Sequence, residues 1–194
     1  AEGGTHEGGI AIFSQLFGDD LAVGAVVQRQ HDVELLGDAD GGENIIGAVG
    51  VGAVRPGMFS ESIGSTLAVC VPTKDIVYDP NMQMPVHYYP IKDTYMMHTF
   101  TSGGICLRWF RDNFCQYEIT TAELTGMDSY DILTKEAMRT PPGAEGLSFL
   151  PHLSGSLAPD VNPYAKGVFM GMTMIHNKGH FIRAIMETLL GVIL

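Results

Sequence analysis

The stretch that decides the fold is Gly167-Val-Phe-Met-Gly171-Met-Thr-Met-Ile-His-Asn-Lys-Gly-His180-Phe-Ile-Arg-Ala-Ile-Met-Glu187. Two glycines punctuate an apolar segment, which then enters a helix that we expect from about Lys178 to the end of the chain. Apolar residues recur along that helix every three or four positions, which is the pattern of a helix with one buried face. The stretch therefore predicts an α/β fold in which a glycine-bearing strand or loop leads into a helix packed on a sheet.

Several methionine, aromatic, histidine and cysteine side chains are expected to have structural roles. The apolar side chains are interpreted as core rather than as a cofactor site, and the histidines are too scattered to predict a metal site. The three cysteines, Cys70, Cys106 and Cys115, have no metal-ligand spacing and are expected to be buried, reduced thiols. The apolar core candidates are Phe169, Met170, Met172, Met174 and Trp109, and the histidines are His152, His176 and His180.

Composition excludes two classes of partner. The formal net charge of −11 has the wrong sign for a nucleic-acid-binding surface. No apolar run approaches the roughly 20 residues that span a bilayer, and no basic region followed by an apolar core indicates a signal peptide. We therefore expect a cytoplasmic protein that binds neither nucleic acid nor membrane. An acidic protein can still bind ATP, because backbone N–H groups and Mg²⁺ supply the local positive field.

Along the chain, hydrophobic periodicity and turn residues predict alternating helices and strands. The segment 58–71 is expected to form two strands that meet at a tight turn through Gly64-Ser65-Thr66. The helix that follows Gly103-Gly104 is expected to have Ser102 as its N-cap. The other predicted elements are helices at 44–54 and 130–138 and strands at 95–100 and 147–150.

Three segments can carry chemistry, and each has a structural alternative. Glu43, at a glycine-rich helix start, is either a general base or an acid stabilised by the helix dipole. The turn Gly64–Thr66 is either a phosphate cradle or an ordinary hairpin turn. The helix start at Gly103-Gly104 is either an anion site or a plain helix beginning. On physical grounds alone, the structural alternative is favoured at the first and third segments, and the phosphate signal at the turn is weak.

A family resemblance favours the functional interpretation of these segments, because they occur in the same order as the motifs of that family. The stretch 167–187 resembles the second signature of the FGGY carbohydrate kinases, and Gly41-Gly-Glu-Asn44 with Ser62-Ile-Gly-Ser-Thr66 resembles two earlier motifs of that family. The segment 103–112 resembles the start of its nucleotide-binding helix, and 149–155 is similar to the loop before its signature, especially in xylulokinase-like members. The resemblance covers about residues 37–194.

The resemblance implies an actin-like ATPase, ribonuclease-H-like α/β fold that is incomplete in this chain. It implies that 37–57 end a first, sugar-binding domain and that 58–194 form a second, ATP-binding domain truncated at its C-terminus. Residues 1–36 remain poorly assigned, and a homodimer is possible for such a chain.

The resemblance also implies the roles of individual residues. Glu43 corresponds to the catalytic base, and Asn44 to a neighbour that contacts the sugar. The cofactors would be ATP and Mg²⁺, and no residue is assigned as a metal ligand. The nucleotide contacts would come from Gly64, Ser65, Thr66, Gly104 and Arg108.

Two departures from the family pattern lower the expected activity of this chain. The base is normally Asp, and Glu43 is one methylene longer, which displaces the carboxylate by about 1 Å. The chain also shows neither an N-terminal Asp-x-Gly-Thr phosphate turn nor the Gly-Gly-Gly-x-x-Ser adenosine segment. We expect phosphorylation of a xylulose-like pentulose, with little or no turnover by the isolated chain. The alternative is a non-catalytic fragment or degenerate relative that retains only the fold.

Overall fold

The computed structural model describes residues 42–191, with the side chains of 44–189. The predicted segment 1–36 and Gly41 lie outside the described residues. Contacts divide the chain into two compact units. We call residues 42–105 and 151–167 the sheet unit, and residues 106–150 and 168–191 the helical unit. Within residues 42–191, none of the helices combines the length and apolarity that crossing a bilayer requires.

The sheet unit contains one helix and a four-stranded antiparallel sheet of order β1-β2-β4-β3. Residues opposite each other in register share a face, so Ser60, Cys70 and His98 lie on one face and Glu61, Val69 and Thr99 on the other. The elements are α1 (Gly42–Gly50), β1 (Ser60–Ile63), β2 (Thr66–Thr73), β3 (Val86–Tyr88) and β4 (Tyr95–Ser102).

Both faces of this sheet are covered by other parts of the sheet unit. On the first face, small residues at the end of α1 allow that helix to pack closely against the strands. The Tyr89 hydroxyl donates to the Ala53 carbonyl at 2.7 Å, which satisfies a buried polar group within this core. On the second face, the hydroxyl of Thr99 donates to the Ala158 carbonyl, so the segment 151–167 lies against the strands. The buried core on the first face is formed by Ala48, Ala53, Cys70, Tyr89 and Met96.

The helical unit packs four helices around a small hairpin. The antiparallel hairpin β5–β6 pairs Phe149 with Phe169, so both rings point to one face and meet at 4.6 Å. The Phe181 ring lies 4.9 Å from Phe169, and each such aromatic pair adds about 0.5–1.5 kcal/mol beyond burial. The elements are α2 (Ile105–Phe114, whose first residue belongs to the sheet unit), α3 (Gln116–Thr125), α4 (Ser129–Ala137), β5 (Ser148–Leu150), β6 (Val168–Met170) and α5 (Lys178–Gly191).

Most predicted elements are confirmed. The hairpin around Gly64, strand β4, strand β5 and the helix from Lys178 are present near the predicted bounds. Ile182, Ile185 and Leu189 of α5 are buried, as the apolar spacing predicts. The three cysteines are buried, also as predicted.

Two structural predictions are wrong, and the sequence pattern misses one helix. Ser102 is not a helix N-cap, because β4 continues through it and pairs it with Thr66 in β2; the helix starts only at Ile105. Helix α3, which directly follows α2, was not predicted at all. Met170, Met172 and Met174 are not core, since their exposed fractions are 61%, 63% and 104%.

Candidate functional site

The predicted phosphate turn joins β1 to β2 and is exposed at all three of its residues, Gly64, Ser65 and Thr66. The turn is closed by a hydrogen bond from the Gly64 N–H to the Thr66 carbonyl at 2.8 Å. The start of α2 then bonds to its carbonyl groups: the Gly103 N–H donates to Ser65 at 3.0 Å and the Gly104 N–H donates to Gly64 at 2.8 Å. The fold therefore brings together two of the predicted nucleotide segments, which are about 40 residues apart in sequence.

The two glycines before α2 are required by this close approach. A β-carbon on Gly103 would lie 2.5 Å from the carbonyl carbon of Thr66, and one on Gly104 would lie 2.9 Å from the carbonyl oxygen of Gly64. Neither distance is possible without moving the backbone. Gly103 and Gly104 are therefore explained by packing within the protein.

Gly64 is not explained in this way. A β-carbon there would meet nothing nearer than the Thr66 carbonyl oxygen at 3.9 Å, and its φ is not in the left-handed region. Neither crowding nor conformation among the described residues requires glycine at this position. A glycine that the protein does not need for itself is what a backbone that closely approaches a ligand would have.

The turn also has hydrogen-bond donors available for a ligand. Among residues 42–191, no group accepts a hydrogen bond from the Ser65 N–H or hydroxyl, and the residue is exposed. The Ser65 carbonyl, in contrast, accepts from Gly103 and from Ile105 at 3.0 and 3.3 Å. The acceptor side of the turn is thus bound to protein, while the donor side faces solvent, which suits an anion.

The backbone N–H of Gly104 is used within the protein. Its N–H already donates to Gly64. Any contact of Gly104 with a nucleotide would therefore use its α-carbon or its carbonyl group.

The predicted sugar side of the site lies on α1 in the same unit. Glu43 is in the first turn of this helix, and its side chain lies outside the described residues. Asn44 is half-buried one position further along. The roles of Glu43 as base and of Asn44 as a sugar contact stay predictions.

Arg108 lies on α2 in the helical unit, and its side chain is exposed. Further along the same helix, the Arg111 guanidinium stacks 4.5 Å from the centroid of the Tyr130 ring and pairs with Asp112 at 2.6 Å. Although burial raises the pKa of the Tyr130 hydroxyl overall, the charges of Arg111 and Arg108 oppose that rise. The role of Arg108 in nucleotide binding stays a prediction.

Comparison with known proteins identifies the family. The model of the C-terminal domain of the FGGY family of carbohydrate kinases matches residues 62–193. The chain belongs to this family.

This chain is similar to several sugar kinases. It is 38% identical over 157 residues to gluconokinase from Bacillus subtilis (strain 168), and 31% identical over 150 residues to xylulose kinase from Escherichia coli (strain K12). These matches cover 79% and 77% of this chain but 29% of each relative. The chain thus spans less than a third of the length of the curated relatives it matches.

A solved structure supports the same assignment. The ligand-bound xylulose kinase from Lactobacillus acidophilus is similar with a TM-score of 0.63 at 26% identity, over 80% of this chain and 29% of that one. This likeness confirms the expected α/β, actin-like ATPase fold, present here in part.

In the helical unit, residues of the FGGY signature contact a turn with an unusual backbone conformation. Residues 143–146 all have positive φ, between 44° and 89°, although Ala144 and Glu145 are not glycine. The left-handed conformation costs a non-glycine residue about 1 kcal/mol or more. Such a turn persists only when its surroundings hold it.

Residues at three positions of the signature contact this turn and stabilise it. The Glu187 carboxylate accepts from the Gly143 N–H at 3.0 Å, and His180 Nε2 lies 2.9 Å from the Glu145 carboxylate. A β-carbon on Gly171 would overlap the Gly146 carbonyl oxygen. The structure therefore gives these signature residues a packing role in the helical unit, which the spacing of the motif alone did not indicate.

Two buried acids are not indicated by the sequence. Glu61, at the second position of β1, is buried, although an acid in a short strand gave no signal beyond its charge. Glu118 of α3 is also buried, and Lys178 donates to it at 2.5 Å. Within the described residues, no group of three or more His, Cys, Asp or Glu side chains could hold a metal ion.

Proposed function

We propose that the chain carries the phosphate-binding part of an ATP-dependent sugar kinase site, with the Gly64–Thr66 turn holding the nucleotide phosphates. The observation that supports this most directly is Gly64, a glycine needed neither for packing nor for its own φ. The free N–H and hydroxyl of Ser65 are suitable donors for a phosphate oxygen. Family membership supports phosphoryl transfer as the reaction class.

In this proposal, the chain's own residues bind and orient the reactants. Ser65 and Thr66 hold phosphate oxygens, Gly104 lets the nucleotide approach, and Arg108 adds positive charge. Glu43 takes the proton of the acceptor hydroxyl, and Asn44 contacts the sugar. Phosphoryl transfer depends mainly on such positioning and on charge neutralisation. Mg²⁺ would enter with the nucleotide, because the described residues include no group of three or more His, Cys, Asp or Glu side chains that could hold a metal ion.

The acceptor in this proposal is a xylulose-like pentulose. Gluconate is a second candidate, because the B. subtilis gluconokinase is more similar to this chain than the E. coli xylulose kinase is. Little turnover by the isolated chain, a cytoplasmic location and a homodimer stay predictions. The competing proposal, a non-catalytic relative, predicts that neither ATP nor sugar binds.

The test is the variant Gly64→Ala, assayed by calorimetric titration with MgATP and by urea unfolding. The added methyl has room in the protein, so stability should stay within about 0.5 kcal/mol of the unmodified chain. If a phosphate lies against the turn, affinity for ATP should fall at least tenfold. Gly50→Ala is the matched control, because a β-carbon at that glycine would meet nothing within 4 Å, and the change should leave ATP binding unchanged. Unchanged affinity in Gly64→Ala would contradict the proposed role of the turn.

A further inference from the structure

Glu61, on β1, is a buried acid. Its residue is 8% exposed, and neither carboxylate oxygen has a hydrogen-bond partner among the described residues. A buried charge without a partner is costly, and such a group lowers that cost by binding a proton. Burial accordingly raises the pKa of Glu61 to about 7.

Among the described residues, no charged group forms an ion pair with Glu61. In register it lies beside Val69 and Thr99, which carry no charge. Cys70 of β2, His98 of β4 and His87 of β3 point to the other face of the sheet. Helix α1 carries Glu43, whose side chain is not described. The remaining titratable groups of the packing segment 151–167 are His152, Asp160, Tyr164 and Lys166, and none of them forms an ion pair or hydrogen bond with Glu61.

Glu61 is also close in the chain to the phosphate turn. It stands four residues before Ser65 on β1, the strand that leads directly into the turn. At about 3.3 Å per extended residue, the separation is at most roughly 13 Å. A negative charge on Glu61 therefore opposes a polyphosphate at the turn. The same charge would also loosen the β1–β2 hairpin that presents the turn, which lowers the fraction of chains able to bind.

We propose that Glu61 couples proton uptake to phosphate binding, so that a polyphosphate at the Gly64–Thr66 turn and a proton on Glu61 favour each other. This inference rests on the proposed function of the turn. Its consequence is a nucleotide affinity that falls as the pH rises through neutrality. Linkage is reciprocal, so nucleotide binding near neutral pH must take up protons.

A structural alternative predicts a different outcome. Strand β1 is at the edge of the described sheet, and inward-pointing charges on edge strands prevent unwanted pairing between sheets. If Glu61 has only that role, its ionisation has no connection with the nucleotide.

The experiment is calorimetric titration of the full chain with MgATP at pH 6 and pH 8, at one ionic strength and in two buffers of different ionisation heat. Glu61→Gln keeps the shape of the side chain and cannot ionise. Glu61→Leu is a second neutral variant, and Glu123→Gln removes an exposed acid of the helical unit as a control. Titration of ATP itself is common to all four proteins and cancels in the comparison.

We expect the dissociation constant of the unmodified chain to rise about fivefold more between pH 6 and pH 8 than that of Glu61→Gln. Proton uptake at pH 7 should be present in the unmodified chain and in Glu123→Gln, and lower in both Glu61 variants. Equal pH dependence and equal proton uptake in all four proteins, with ATP binding intact, would overturn the coupling but leave the proposed function standing. Absence of ATP binding by every protein at both pH values would overturn the proposed function and the coupling with it.

Discussion

Replacing Gly103 by alanine should break the contact between the phosphate turn and the start of α2. The new β-carbon would lie 2.5 Å from the Thr66 carbonyl carbon and 2.7 Å from both the Leu67 nitrogen and the Thr66 oxygen. All three are backbone atoms, so no side chain can rotate away to make room. The end of β4 would have to move about 1 Å from β2 to restore van der Waals distances.

That displacement gives the magnitude of the effect. Three hydrogen bonds cross this contact, from the N–H groups of Gly103, Gly104 and Ile105 to the carbonyls of Gly64 and Ser65. At a net of about 0.5–1.5 kcal/mol each, their weakening together with the strain of overpacking should cost roughly 2–4 kcal/mol of unfolding free energy. ATP binding should be lost as well, because the turn no longer has its shape.

Urea unfolding followed by far-UV circular dichroism measures this cost. Gly50→Ala serves as the control, since it replaces an exposed glycine at the end of α1 and should be neutral or stabilising by up to about 1 kcal/mol. A cost below about 1 kcal/mol for Gly103→Ala would refute the argument that this glycine is required by backbone contact.

Two further predictions concern the helical unit. Lys178→Met should cost about 2–4 kcal/mol, because it leaves the Glu118 carboxylate buried without its cation. Burial raises the pKa of Glu118, but the Lys178 hydrogen bond and charge lower it overall, so this stabilisation is present above the ordinary Glu pKa and is lost on acidification below it. The loss of unfolding free energy between pH 7 and pH 3 should therefore be smaller in Lys178→Met than in the unmodified chain. An equal loss in both proteins would contradict the role given to this ion pair. Glu187→Gln should lower the free energy of unfolding by about 1–3 kcal/mol and speed amide hydrogen exchange at residues 143–146, because it weakens the hydrogen bond from the Gly143 N–H. Unchanged exchange at these residues would mean that the turn does not need Glu187.

The sequence predicts the hairpin and the last helix because local signals agree there with tertiary packing. At 60–73, strand-forming residues flank a small-residue turn, and at 178–191 the apolar spacing matches the buried face. Helix α3 escaped prediction because Gln116–Thr125 has no apolar stripe and three threonines, which favour extended backbone. Its place comes from packing against α4, which no local pattern reports.

The exposed methionines show a different limit of sequence interpretation. The sequence predicts that the apolar residues near the signature belong to the core. In the structure, β6 belongs to a two-stranded sheet in which Phe169 occupies the covered face. Val168 and Met170 then point to the other face by strand alternation, and both are exposed. A sequence shows the alternation but not which face has a neighbour.

Glycines in family motifs can be sorted by what the protein itself requires. At Gly103, Gly104 and Gly171 a side chain would collide with backbone, so these positions would be glycine even if the protein bound no ligand. Gly64 has space for a methyl group and an ordinary φ, so packing gives no reason for it. The same motif resemblance that predicted all of these residues cannot make this distinction. We expect Gly64→Ala to lose ATP binding at constant stability, and Gly103→Ala to lose stability. Comparing the two variants therefore tests the nucleotide site apart from the fold that supports it.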